Sequence, residues 1–196
     1  MSTVAVARRP QAVLADVVSN TVLADVVLIT GAAALVGVLA QLSIHLSFTP
    51  VPITGQTLGV LLAGSALGWR RASLAMSLYV GAGVAGVPWF AGHSHGYPMA
   101  TFGYLLGFVL AGSFLGFLAS RGNDRNVIRA ALSMVAGELL IYAVAVPWLA
   151  FDLHVSLAKA LTLGMTPFIA GDLIKAGVAG LALPSAWRLV DRVTKK

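Results

Sequence analysis

A chain of 196 residues in which 58% are hydrophobic and only 10% charged has too little polar surface for a water-soluble globule, where about 25% of residues carry charge. With a mean hydropathy of +0.89, this excludes a soluble enzyme domain, a disordered chain and a coiled coil, and the lack of cysteine excludes a disulfide scaffold and thiolate chemistry. The net charge of +6 does not point to nucleic acid, because the cations stand in small clusters between long apolar stretches with no interleaved aromatic stripe.

The first 20 residues are expected to lie in the cytoplasm, since no apolar core of signal-peptide length follows Arg8-Arg9 before Asp16. The hexapeptide VLADVV occurs at Val13–Val18 and again at Val22–Val27. That nine-residue step is about two and a half helical turns, so one continuous helix would set Asp16 and Asp25 on opposite faces. We read the repeat as chance similarity, with Ser19-Asn20-Thr21 capping the first spanning helix. Six apolar segments follow, over residues 23–46, 57–67, 72–87, 101–119, 127–149 and 167–190, in a membrane domain of residues 21–190 with a tail of residues 191–196. A bilayer core takes about 20 apolar residues as a helix, and only a helix or a closed barrel satisfies its own backbone in lipid. The barrel is disfavoured because alternation is missing and Ala, Leu and Gly dominate. The predicted fold class is an all-α integral membrane protein with six transmembrane helices, the second unusually short.

Lysine and arginine concentrate in short cytoplasmic loops. With the N-terminus inside, eleven of the thirteen cations fall at inner ends: Arg8, Arg9, Arg70, Arg71, Arg121, Arg125, Arg129, Arg188, Arg192, Lys195 and Lys196. The outer loops hold only Lys159, and Lys175 lies inside the sixth segment. An odd number of spans breaks this pattern, so both termini are predicted to be cytoplasmic, in a multi-pass protein of a prokaryotic cell membrane. Trp69 and Trp187 at inner ends, and Trp89 and Trp148 at outer ends, fit an interfacial aromatic belt.

Ionisable residues inside spans are costly and mark candidate sites. Here they are Glu138, Asp172 and Lys175, with Asp25 close enough to an end to reach water. Asp172 and Lys175, three apart, share a helix face. They either neutralise each other to hold helices together or line an outward-open polar pocket for a small solute; for Glu138 the structural reading is the stronger. The first outer loop, Thr49-Pro-Val-Pro-Ile-Thr-Gly-Gln56, is uncharged and proline-broken. Such backbone dips to membrane depth only where it lines a cavity, and Gln56 offers both a donor and an acceptor. The second, Gly86 to Tyr97, supplies aromatic walls and glycines suited to a lid. Its His93-Ser94-His95 lacks a third metal ligand nearby and reads as solvated. The close-packing pairs Ala33/Gly37, Gly64/Gly68 and Gly103/Gly107 recur. No P-loop, nucleophile-elbow or zincin motif occurs, and no enzyme activity or cofactor is expected.

The blocks PVPITGQTLGVLLAGSALG (Pro50–Gly68), YVGAGVAGVPWFAG (Tyr79–Gly92), GYLLGF (Gly103–Phe108), YAVAVPWLA (Tyr142–Ala150) and PFIAGDLIK (Pro167–Lys175) together resemble the BioY family. BioY proteins are the substrate-binding S components of biotin transporters of the energy-coupling-factor type. The resemblance implies a six-helix membrane protein that captures biotin at its outer face. A transmembrane coupling subunit and cytoplasmic ATPase subunits then drive release inward. It further implies Gln56, Asp172 and Lys175 as biotin contacts, with Tyr79, Gly86 and Phe90 shaping the pocket. The ureido group of biotin, with two N–H donors and one carbonyl, suits a carboxylate and an amide or ammonium. Two departures stand out. Met99-Ala100-Thr101-Phe102-Gly103 replaces a usual glycine-proline-threonine-glycine-glycine stretch, with His93 in place of a glycine, and Ala33/Gly37 only approximates the alanine-x-x-x-alanine docking pattern. The alternative is a stand-alone, proton-coupled secondary transporter of biotin or another small vitamin, with Glu138 as relay. Either form could be homo-oligomeric.

Overall fold

The computed structural model describes residues 12–18, 21–97 and 99–194. In chain order these form α1 (Leu14–Val18), α2 (Val22–Gln41), β1 (Ser43–Ile44), β2 (Ile53–Thr54), α3 (Gln56–Leu67), α4 (Trp69–Val84), α5 (Phe102–Ser120), α6 (Val127–Leu153), α7 (Leu157–Gly164) and α8 (Ile169–Thr194). Single 3₁₀ turns stand at Ala91–His93, Met99–Thr101 and Asn123–Arg125.

Helix starts follow side-chain caps. The Thr21 hydroxyl accepts from the Ala24 N–H, Asn126 Oδ1 from the N–H groups of Ile128 and Arg129, and Ser156 Oγ from that of Lys159. Between α3 and α4 the chain turns on Gly68 alone, at φ +78°, a conformation open to glycine and strained for other residues. The core is centred on α5, which packs on α3, α4 and α6, while α6 carries α8 on its other side. Small residues set these approaches: a Cβ at Gly64 would lie 3.0 Å from Gly112 Cα. Large apolar side chains cover the outside, including Val26, Val27 and Val38 on α2 and Leu173, Ile174 and Leu181 on α8. That outward apolar face suits a lipid solvent.

Among the described residues four helices, Val22–Gln41, Phe102–Ser120, Val127–Leu153 and Ile169–Val193, are long and apolar enough to cross a membrane. α3 and α4, at 12 and 16 residues, reach only about 18 and 24 Å at 1.5 Å per residue. Several boundaries differ from the sequence expectation. α2 stops at Gln41, not residue 46: Ser43–Ile44 pairs antiparallel with Ile53–Thr54, in the register Ser43↔Thr54 and Ile44↔Ile53. A short apolar run does not distinguish a helix end from a strand. The tail expected from residue 191 begins as helix, because α8 runs unbroken to Thr194. The N-terminal segment contains α1, and the connection between α6 and α8 contains α7.

At the end of the bundle where the arginines gather, the two VLADVV copies are not equivalent turns of one helix. They form α1 and the start of α2, and both aspartates bind one arginine: Arg71 Nη1 lies 2.6 Å from Asp16 Oδ1 and Nε lies 2.8 Å from Asp25 Oδ1. Trp187 is buried. Its Nε1 donates to Asp124 Oδ2 at 2.6 Å, and the Arg125 guanidinium stacks 4.2 Å from its ring centroid. Arg125 also donates to the Ala12 carbonyl, tying the N-terminal segment down.

Candidate functional site

At the opposite end, the loop before α3, the 3₁₀ turn at 91–93 and the start of α8 surround a cavity of about 380 Å³. Its walls are apolar: Pro50, Val51 and Phe90 from the loops, Leu105 and Phe108 from α5, and Ile141 from α6. Its floor is polar, where α3, α6 and α8 bring together Gln56, Thr57, Glu138, Tyr142, Asp172 and Lys175. A mostly apolar enclosure with a few convergent polar groups is the usual form of a small-molecule site.

The floor groups are held from several elements. Lys175 Nζ donates to Asp172 Oδ1 at 3.0 Å and to Thr57 Oγ1 at 2.8 Å, joining α8 to α3. The Tyr142 hydroxyl donates to the other oxygen, Asp172 Oδ2, joining α6 to α8. Gln56 begins α3; its Nε2 donates to Tyr79 Oη at 2.6 Å, and its Oε1 accepts from Thr54 Oγ1 at 2.9 Å. Tyr104, on the wall, donates to the Gly164 carbonyl at 2.5 Å and so seats α7 against the rim. One ammonium therefore faces two carboxyl groups, Asp172 and Glu138, inside an apolar shell.

Of the residues expected at the site, Gln56, Phe90, Asp172 and Lys175 line the cavity together. Tyr79 stands behind the wall, fully buried. Its ring packs 5.3 Å from that of Trp89 and 5.4 Å from that of Phe90, and its hydroxyl orients Gln56. Gly86 is elsewhere. It is exposed at φ +116° with open space around its Cα, and it serves the turn that ends α4. Gly83 shapes the wall instead, because a Cβ there would run into the Phe90 ring. Thr57 and Tyr142 were not anticipated, although the sequence carried a signal for each. Thr57 adjoins Gln56, and Tyr142 is four residues after Glu138, on the same helix face.

The second loop is fastened by Gln41. Its Nε2 donates to the carbonyls of Gly37, Trp89 and Phe90, and its Oε1 accepts from the His93 N–H. His93 sits at φ +59°, a left-handed backbone conformation that costs a residue with a side chain roughly 1–2 kcal/mol. His93 and His95 are exposed, and among the described residues no cluster of three metal-ligating side chains occurs. The Ala33/Gly37 pair faces inward, with Ala33 buried and Gly37 against Trp89.

Comparison with known proteins places this geometry in a lineage. The chain is similar to the biotin transporter BioY2 of Lactococcus lactis, 37% identical over 170 residues that cover 84% of this chain and 92% of that protein. It is likewise similar to the biotin transporter BioY of Thermotoga maritima, 40% identical over 151 residues, 76% of this chain and 86% of that one. In fold it matches the crystal structure, at 2.1 Å, of the S-component for biotin from an ECF-type ABC transporter. The TM-score is 0.74 at 22% identity, over 91% of this chain and 96% of that one. The model of the BioY family matches residues 10–192. The chain belongs to the BioY family.

Proposed function

We propose that this protein is the membrane-embedded S component of an energy-coupling-factor transporter. In this reading it captures biotin from outside the cell and delivers it to the cytoplasm, energised by a transmembrane coupling subunit and cytoplasmic ATPase subunits. The observation that carries the reading is the polar floor, an Asp172–Lys175 pair braced by Tyr142 and Thr57 beneath apolar walls. It offers a carboxylate and an ammonium to a ligand with a ureido head, an apolar ring and a carboxylate tail. Gln56 and Phe90 contact the ligand, and Tyr79 acts through them. Six spanning helices with both termini cytoplasmic, in a prokaryotic plasma membrane, put the cavity on the outer side. Family membership and the positions of the arginines support this topology.

Equilibrium binding of biotin to the purified protein, with riboflavin and thiamine as controls, tests the reading. Saturable binding of biotin alone is expected, and its absence overturns the assignment. Biotin uptake by the protein alone, abolished when the proton gradient collapses, would move the reading to a stand-alone secondary transporter.

A further inference from the structure

The cavity floor carries a carboxyl that the protein leaves unanswered. Glu138 enters from α6 beside Asp172 and Lys175; it is 5% exposed, and neither of its side-chain oxygens has a hydrogen-bond partner. The Thr57 hydroxyl stands near enough to interact with it but not in hydrogen-bond geometry, and its other neighbours are committed elsewhere. Lys175 donates to Asp172 and Thr57, and Tyr142 donates to Asp172. Asp172 thus accepts two hydrogen bonds while Glu138 accepts none. A purely structural carboxyl would take Lys175 as its partner, yet the ammonium lies 3.0 Å from Asp172. Buried polar groups are nearly always satisfied, and leaving one without a partner destabilises the fold. An exception aimed into a cavity is a group waiting for a ligand.

We infer that Glu138 reads the head group of the ligand, accepting a hydrogen bond from an N–H of a cyclic urea. This makes the site selective for heads that carry such donors. The inference rests on the biotin reading above, because the ureido ring brings two N–H donors. One meets the remaining lone pairs of Asp172 and the other meets Glu138. In either protonation state Glu138 keeps at least one accepting oxygen, so the role does not depend on its charge.

The test compares Glu138→Met with the unaltered protein. Methionine is close to glutamate in size and offers no strong acceptor. Calorimetric titration is run with biotin and with each of its two ureido N-methyl derivatives, alongside thermal melting. Glu138→Met is expected to bind biotin at least about tenfold more weakly, yet to melt no lower than the unaltered protein. Discrimination against one N-methyl derivative should collapse in the variant, and Glu138→Gln, which retains an acceptor oxygen, should recover part of the affinity. Undiminished biotin binding by Glu138→Met, or a loss of binding that comes with a lower melting temperature or failure to fold, overturns the inference and leaves the proposed function standing. Absence of biotin binding by the unaltered protein overturns both.

Discussion

The two ends of the bundle bury polar groups in different ways. At the basic end, Arg71 holds Asp16 and Asp25 together, while Asp124 is closed in by Trp187 and Arg125. At the other end, Asp172 and Lys175 are also paired, but they border about 380 Å³ of space and stand beside a carboxyl with no partner. Ion pairs alone do not distinguish architecture from function, since desolvation offsets much of what they contribute. The distinction lies in what the charges face: the protein's own chain at one end, and a void at the other.

If this contrast is right, substitutions at the two ends separate binding from stability. The largest effect is expected for Lys175→Ala and Asp172→Asn. Each should weaken biotin binding at least about a hundredfold, in line with truncation of one member of a buried charge pair, while circular dichroism shows the helices intact. Undiminished binding by both variants would break the comparison. Next comes Arg71→Ala, which frees two aspartates. It should lower stability by about 1–3 kcal/mol, visible in thermal melting, while biotin affinity stays within about threefold because the sites are remote from each other. Gly83→Ala pushes a methyl group into the Phe90 ring. Overpacking of this kind costs about 1–3 kcal/mol, and binding should weaken with it, because Phe90 is a wall of the cavity.

The smallest effect concerns pH. Asp124 lies in the turn between α5 and α6, buried, with Oδ1 unsatisfied. Burial pushes its carboxyl above the ordinary carboxylate range, against the opposing pull of the Trp187 donor. The folded protein therefore holds this proton more tightly than the unfolded chain does. The resulting stabilisation is complete below the unfolded value of about 4 and is lost as pH rises through the raised folded value. Melting temperature should decline across that window in the native protein and flatten in Asp124→Asn. Trp187→Phe, which removes the donor, should carry the decline to higher pH; a melting profile indifferent to both changes would remove Asp124 from the account.

The apolar segments and the charged pair that lines the cavity were legible in the sequence, because lipid leaves so few reasons for Asp172 and Lys175 to exist inside a span. The local geometry was not. Hydropathy reports how apolar a run is, not whether its backbone helps build a strand, so the end of α2 at Gln41 was hidden. Asp16 and Asp25 converge on Arg71 only because the chain divides into two helices between them. Gly83 and Gly86 are both small, and only the placement of the Phe90 ring shows which one matters to the wall. Trp187 stands beside Arg188 in sequence, whereas its structural partners, Asp124 and Arg125, come from a turn some sixty positions away.

Gln41 has a consequence for kinetics. One amide side chain at the end of α2 makes three of its four hydrogen bonds to backbone groups at Trp89, Phe90 and His93, on the segment that edges the cavity. Lifting that segment takes one Gln41 rotamer change, which breaks all three together, and the separate release of the bonds from Trp89 Nε1 to the Tyr79 carbonyl and from the Gly96 N–H to the Gly83 carbonyl. The fastening also runs both ways: a load that shifts the end of α2 is felt at Phe90, and a ligand pressing on Phe90 is felt at the end of α2.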